Sequence, residues 1–210
     1  MDIPLVERVI RSALEAGVNG FYAVVGYRGG QVRDFLGHLS GKISAPITVI
    51  ENDDWEKANG LSVLKAKQVL DEPFFLLMGD HLFDPDIARK MIDFPLMDDE
   101  IALAVDQDLK NPMVDMDDVT RVMVRDGLIR NIGKGIEEYN CFDTGIFLCN
   151  PVLFSALEQS MRETGDDSLS GGVRILAGKG RVRAMPIDGK FWIDIDDPER
   201  YKQAEGYLLS

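Results

Sequence analysis

Residues 74–80 read FFLLMGD, a continuous apolar run that ends in a glycine and a carboxylate. Unbroken apolar runs are typical of parallel strands that are buried on both faces, so we predict a central parallel strand here. Ligands bind at the carboxyl ends of strands in open α/β sheets, which makes Asp80 the first candidate site residue. Gly79 would let a ligand approach the backbone. A strand-ending turn with a capping aspartate is the alternative interpretation.

The segments before this strand alternate short apolar runs with amphipathic stretches. Residues 21–27 (FYAVVGY) and 47–51 (ITVIE) are predicted strands. A helix that begins near Pro4 and ends near Gly17 precedes them, and residues 61–70 form another predicted helix. This order indicates repeated βα units in an α/β fold.

The second half is predicted to be mainly antiparallel. Asp126-Gly127 lies between two alternating apolar segments, which is a β-hairpin signal. Residues 143–149 are a further strand, and a helix over 151–161 would have Asn150 as its N-cap. Strand 182–187 and a last helix from Pro198 complete the pattern, so we predict one domain over residues 1–210.

Composition excludes some functions. The chain has 210 residues, 45% of them hydrophobic, and a formal net charge of −13. Such a surface repels nucleic acid, and an anionic nucleotide would need a local cation, although solubility alone also explains the excess charge. We find no signal-peptide pattern and no apolar run of about 20 residues, so a cytoplasmic location is expected. Cys141 and Cys149 end one predicted strand and cannot form a disulfide within it.

A second acidic segment lies near the C-terminus, where residues 191–196 read FWIDID. Alternation in a strand would place Asp194 and Asp196 on one face, where their charges repel. A divalent cation would relieve this repulsion, and Mg²⁺ prefers oxygen ligands. Asp194 is therefore a candidate partner of Asp80 on one Mg²⁺ ion, whereas Asp196 is also explained by the start of the last helix.

Four blocks resemble the sugar-phosphate nucleotidyltransferase family, most closely its inositol-1-phosphate cytidylyltransferases. The blocks are VVGY (24–27), ANGLSVLKA (58–66), GDH with FDPD (79–86), and FDTGIF (142–147) with FWIDIDDPE (191–199). The resemblance implies a GT-A-like, Rossmann-type mixed sheet flanked by helices. It also implies that inositol 1-phosphate attacks the α-phosphorus of CTP, which gives CDP-inositol and pyrophosphate.

The resemblance further implies roles for individual residues. Asp80 and Asp194 match the magnesium ligands, while Lys134 matches a lysine that binds the acceptor's phosphate. The other matches comprise nucleotide-side residues (Asn59, Gly60, Gly79) and acceptor-side residues (Thr144, Gly145). Asn59 is equally explained as a helix N-cap, and Lys134 as a solvated side chain. His38 and His81 receive no role, since Mg²⁺ does not prefer imidazole.

The sequence departs from the family in one respect, because it contains no G-x-G-x-R loop to bind a triphosphate. We therefore expect a first βα unit to be missing, residues 1–210 alone to show little turnover, and an exposed flank of Leu5, Val9 and Ile10 to favour a homodimer. Other sugar-1-phosphate or choline-phosphate nucleotidyltransferases, and a catalytically silent domain, stay open as alternatives. In such relatives, fusion to or association with a membrane-embedded CDP-alcohol phosphatidyltransferase-like domain is also expected.

Overall fold

The computed structural model describes residues 3–208, without the side chain of Leu208. The helices are α1 Leu5–Glu15, α2 Gly29–Ile43, α3 Asn59–Lys65, α4 Pro85–Ile92, α5 Val152–Thr164, α6 Leu169–Gly178 and α7 Pro198–Leu208, with a 3-10 turn at Ala66–Gln68. The strands are β1 Phe21–Val25, β2 Ile47–Glu51, β3 Phe74–Leu77, β4 His81–Phe83, β5 Ile101–Asp106, β6 Arg121–Arg125, β7 Leu128–Gly133, β8 Cys141–Cys149, β9 Val182–Pro186 and β10 Trp192–Asp194.

Six strands form the main sheet, in the order β3-β8-β5-β9-β7-β6. Strands β5 and β9 are parallel, and the remaining neighbours are antiparallel. The predicted hairpin is confirmed as β6–β7, with Asp126 and Gly127 at positive φ in its turn. The mixed α/β class with an antiparallel portion is therefore also confirmed.

The sheet is buried on both faces, as β5 illustrates. Ile101, Leu103 and Val105 pack in one cluster with side chains of α5 and α6. Ala102 and Ala104 point to the opposite face and pack in a second cluster with side chains of α4 and β10. All six residues of β5 are buried, which explains why its sequence shows no polar alternation.

Two smaller sheets flank the main one. Strands β1 and β2 are parallel and share a third cluster with α1 and α2. Strands β4 and β10 form a short antiparallel ladder that joins residues from the middle of the chain to residues near its end. This ladder lies against the second cluster, which includes Leu82, Phe83 and Ile193.

The prediction for FFLLM is wrong in its strand neighbours. Among the described residues, β3 pairs only with β8 and runs antiparallel to it, and β1 pairs only with β2. The free edges of β1 and β3 instead line an apolar cleft of about 1090 Å³. Strand β3 is as apolar as a central strand, because side chains pack against it and the cleft adjoins it, although it lies at the edge of the main sheet.

Other local predictions also change. Asn150 does not cap α5; its amide donates to the carbonyl oxygens of Met97 and Glu100, 2.8 and 3.0 Å away. Val9 and Ile10 are 4% and 5% exposed, so the expected exposed flank is largely buried. Elements α4, α6, β4 and β5 have no counterpart in the sequence-based prediction.

None of the helices in the described part of the chain combines the length and the apolar character that crossing a bilayer requires.

Helix α6 provides a test of local stability. The Ser168 hydroxyl accepts a hydrogen bond from the backbone N–H of Gly171 (3.0 Å) and donates to Asp166 Oδ1 (2.6 Å). We expect Ser168→Ala to lower the free energy of unfolding by about 1 to 2 kcal/mol, because the cap is lost. Urea unfolding measures this. Ser155→Ala, at an exposed position inside α5, is the control and should change stability by less than about 0.5 kcal/mol. Equal effects of both substitutions would show that the cap contributes nothing.

Candidate functional site

The β4–β10 ladder assembles the centre of the site. It places Asp194 opposite His81, and the backbone N–H of Ile195 donates to the carbonyl oxygen of Asp80 at 3.2 Å. One ligand atom each from Asp80, His81 and Asp194 lies within 4.8 Å of the others. Two carboxylates that are distant in sequence therefore share one end of the sheet.

His81 is held from two sides. Its Nδ1 donates to the carbonyl oxygen of Thr144 (2.8 Å), and its Nε2 lies 3.2 Å from Asp194 Oδ2 and 3.9 Å from Asp80 Oδ1. Burial by itself lowers the pKa of His81, but the hydrogen bond and charge of Asp194, the Thr144 carbonyl and the Asp80 charge together raise that pKa to about 9. The imidazole is therefore protonated at pH 7.

Excess negative charge surrounds this imidazolium. Asp118, Asp194 and Asp196 also bring one carboxylate oxygen each within 4.8 Å of the others. Burial, followed by the charges of Asp194, Asp80 and Asp118, raises the pKa of Asp196. Burial is also the main cause that raises the pKa of Asp143, to about 6.

The residues fit a hard divalent cation. Asp194 Oδ1 is a buried oxygen that has no hydrogen-bond partner in the described part of the chain, while Oδ2 faces His81. A buried carboxylate oxygen without a donor is unfavourable, and a cation would satisfy it. The neighbouring donors are carboxylates, which Mg²⁺ prefers. The protonated imidazole of His81, 3.2 Å from Asp194 Oδ2, would compete with a cation for the charge of this carboxylate.

A pocket of about 180 Å³ adjoins these carboxylates. Lys134 lies on its wall and donates to Asp118 Oδ1 at 2.6 Å. Both side chains are more than half exposed, so water screens the pair and its contribution to stability is small. Arg200 lies on the same wall and donates to the carbonyl oxygen of Met113 at 3.1 Å.

Strand alternation separates the two acceptor-side predictions. Asp143 and Gly145 of β8 line the pocket, whereas the Thr144 side chain points to the opposite face of the sheet. Thr144 is fully buried, and its hydroxyl donates to the Ala104 carbonyl oxygen at 2.9 Å. The Thr144 hydroxyl thus faces away from the pocket, while its carbonyl oxygen accepts from His81 Nδ1, and an acceptor-side role for Thr144 stays a prediction.

The residues predicted for the nucleotide side also differ in whether they line the cleft. Asn59, Gly79 and Asp80 line the 1090 Å³ cleft, but Gly60 is buried. A Cβ on Gly60 would lie 2.4 Å from the Asp167 carbonyl oxygen, so packing, rather than a flat ligand ring, explains the glycine in this structure. Asn59 accepts a hydrogen bond from the Leu169 backbone N–H at 2.9 Å, which links α3 to the start of α6.

The structure adds residues to which the sequence analysis gave no role. His81 directly follows Asp80, so its motif position was visible, but its proximity to Asp194 required the β4–β10 register. Asp118 and Arg200 lie in a loop and in α7, and no spacing in the sequence links them to Lys134.

Known proteins resemble the chain over nearly all of its length, although no protein-family model matches it. The bifunctional IPC transferase and DIPP synthase of Rubrobacter xylanophilus is 32% identical over 99% of the chain. The chain spans 46% of that relative, which is about half its length.

Solved structures give the same picture of the fold. The inositol-1-phosphate CTP transferase from T. maritima matches with a TM-score of 0.84 and 28% identity, over 98% of this chain and 81% of that chain. A UDP-glucose pyrophosphorylase complexed with UDP-glucose matches with a TM-score of 0.80 over 100% of this chain and 88% of that chain. At 17% identity, the second match concerns the fold alone.

Gly145 provides a test of the site's packing. Its φ is +74°, and an added Cβ would lie 2.3 Å from His81 Nδ1. Gly127 has a φ of +72° but open space around it, so Gly127→Ala reports the cost of the backbone conformation alone, about 1 kcal/mol. We expect Gly145→Ala to lower the free energy of unfolding by about 1 to 3 kcal/mol more, because the imidazole must move. Urea unfolding of both variants measures the difference. Equal losses would mean that His81 is not fixed against Gly145.

Proposed function

This chain belongs to the sugar-phosphate nucleotidyltransferase family, and from that premise we propose that it transfers CMP from CTP to a polyol phosphate. Inositol 1-phosphate is the acceptor we propose, and CDP-inositol and pyrophosphate are the products. The observation that carries the proposal is the carboxylate pair Asp80 and Asp194 at the junction of an extended cleft and a smaller lysine-bearing pocket. The names of the similar proteins from Rubrobacter xylanophilus and T. maritima support the choice of CTP and inositol phosphate.

The composition of the smaller pocket favours a polyol phosphate. Lys134 supplies a point charge for one phosphate, and the surrounding carboxylates can accept hydrogen bonds from hydroxyl groups. Phosphocholine would instead require aromatic faces around its quaternary ammonium group. Phe147 and Trp192, the aromatic residues among the described pocket lining, are only 1% and 3% exposed.

The proposed reaction is an in-line displacement. A phosphate oxygen of the acceptor forms a bond to the α-phosphorus of CTP as the bond from that phosphorus to the pyrophosphate oxygen breaks. Lys134 would orient the attacking phosphate, and the cleft lined by Asn59 and Gly79 would hold the nucleotide. Asp80 and Asp194 would hold Mg²⁺, which, when bound, neutralises charge on the phosphate oxygens.

The wider protein context is also a proposal. The similar protein from Rubrobacter xylanophilus is named as bifunctional, and this chain covers 46% of it. A membrane-embedded partner domain, a homodimer and a cytoplasmic location therefore stay predictions.

Metal binding can be tested through His81. The pKa of about 9 depends on the negative charge of Asp194 and Asp80, so a cation on these carboxylates should lower it by about 1 unit or more. We expect an NMR titration to show protonated His81 up to about pH 9 in EDTA and a lower midpoint in saturating Mg²⁺. Asp194→Asn should lower the His81 midpoint without metal and abolish most of the Mg²⁺ effect. If the midpoint of the His81 titration in the wild-type chain is the same with and without Mg²⁺, the proposed metal site is contradicted.

The function is tested by pyrophosphate release from CTP. We would assay residues 1–210, and a version extended at its N-terminus with a G-x-G-x-R segment, against inositol 1-phosphate, glucose 1-phosphate and phosphocholine. We expect the extended version to prefer inositol 1-phosphate and residues 1–210 to remain near background, since each missing oxyanion donor lowers the rate about 10²- to 10³-fold. Lys134→Ala should weaken acceptor binding, measured by calorimetry, about 10- to 100-fold, while exposed Lys42→Ala should not.

Each contrary outcome identifies an alternative. Preference for glucose 1-phosphate or phosphocholine would assign a different acceptor. Acceptor binding without turnover in either version would favour a catalytically silent domain. Robust turnover by residues 1–210 would show that the triphosphate is bound without a G-x-G-x-R loop.

A further inference from the structure

Asp106 is a buried carboxylate that lies outside the group of proposed metal ligands. It ends β5, is 2% exposed and accepts three hydrogen bonds. Its Oδ2 accepts from Trp192 Nε1 (2.8 Å) and from Asn111 Nδ2 (2.7 Å), and its Oδ1 accepts from the Asp108 backbone N–H (2.9 Å). Burying a carboxylate is unfavourable unless such donors satisfy it, so the position needs an explanation.

One donor belongs to the strand that carries Asp194. Trp192 is the first residue of β10 and is 3% exposed, and β10 pairs with β4 through just three residue pairs. A ladder this short is marginal without further attachments. The indole N–H of Trp192, which lies two residues before Asp194, attaches β10 to Asp106 at the end of β5.

The other two donors belong to the loop of residues 107–120. Asn111 accepts hydrogen bonds from the backbone of Met113 (2.9 Å) and Val114 (3.2 Å). Met113 and Val114 line the 180 Å³ pocket, as does Asp118, the partner of Lys134. The Asp106 carboxylate therefore fixes the start of the loop that forms one wall of this pocket.

We propose that Asp106 is a positioning residue: it holds β10, which carries Asp194, in a fixed place relative to the loop of residues 107–120 that forms one wall of the 180 Å³ pocket. The inference rests on the proposed function, since it concerns how the metal and acceptor sites are held together. The indole of Trp192 and the amide of Asn111 donate separate hydrogen bonds to the same oxygen, Asp106 Oδ2. If β10 or the loop shifts relative to Asp106, the hydrogen bond from that segment is lost. A carboxylate suits this position because it accepts on both oxygens, whereas an amide has one acceptor oxygen.

The test separates the two attachments. Trp192→Phe removes the donor from β10 and keeps an aromatic ring, whereas Asn111→Ala removes the donor from the loop. Mn²⁺ binding, followed by electron paramagnetic resonance, reports on the position of β10 and Asp194. Inositol 1-phosphate binding, measured by calorimetry, reports on the loop of residues 107–120. We expect Trp192→Phe to weaken mainly Mn²⁺, Asn111→Ala to weaken mainly the acceptor, and Asp106→Ala to weaken both, each about 10- to 100-fold. Asp106→Asn, which keeps one acceptor oxygen, should lie between wild type and Asp106→Ala. Asp117→Asn, at an exposed position of the same loop, is the matched control and should change neither.

Hydrogen–deuterium exchange distinguishes failure of this inference from failure of the proposed function. Asp106→Ala should accelerate exchange in residues 107–120 and 192–195 together, whatever the chain binds. If wild type binds neither Mn²⁺ nor inositol 1-phosphate but exchange rises in both segments, the proposed function fails and the positioning geometry stands. Exchange that rises in one segment alone, or binding that Asp106→Ala leaves unchanged, would overturn the inference.

Discussion

The site depends on the antiparallel register of β4 and β10. This ladder brings Asp194 opposite His81 and next to Asp80, so a shift by one residue would turn the Asp194 side chain to the other face. Its few hydrogen bonds cannot stabilise it alone. Buried Phe83 and Ile193 and the indole of Trp192 anchor it to the main sheet. The chemistry of the site thus rests on packing in the second cluster.

Electrostatics in the site follow from this register. Several carboxylates meet within a few ångströms, in a chain whose net charge is already −13. Without a metal, the proton on His81 offsets part of this repulsion, and partial burial keeps the pKa of Asp143 near 6. A divalent cation and the proton on His81 are therefore alternative ways to balance the same charge. The affinity of such a site for metal should depend on pH for that reason.

Sequence reasoning was most successful where local patterns determine structure. The Asp126-Gly127 turn requires positive φ at both residues, and that requirement is visible in the residue types. Sequence-based prediction failed where a side chain had two compatible sets of partners. Asn150 could cap α5, but its amide donates to the carbonyl oxygens of Met97 and Glu100 instead. Helix α6 escaped prediction because Gly171 and Gly172 weaken its local signal; a Cβ on either would lie within 3 Å of neighbouring side-chain atoms.

The candidate site shows the same division. The carboxylates of Asp80 and Asp194 predict a metal site from their chemical character, whereas Lys134 is assigned to the acceptor's phosphate by the family resemblance. In the structure, one carboxylate oxygen of Asp80 lies within 4.8 Å of one of Asp194. Which face each side chain takes depends on strand register, which is why Thr144 and Gly145 separate. The contact between Asp106 and Trp192 depends on the pairing of distant strands and has no signal in the residue spacing.

The cleft between β1 and β3 has a consequence for colloidal behaviour. Within residues 3–208, β1 and β3 each pair along one edge, so about every second peptide group of these strands points away from a strand partner and its N–H and C=O are left to bond to water. Unpaired edges of this kind are templates on which further chains can add, and the cleft carries two of them beside apolar side chains. At high protein concentration, we therefore expect the chain to aggregate through edge-to-edge pairing of β1 or β3.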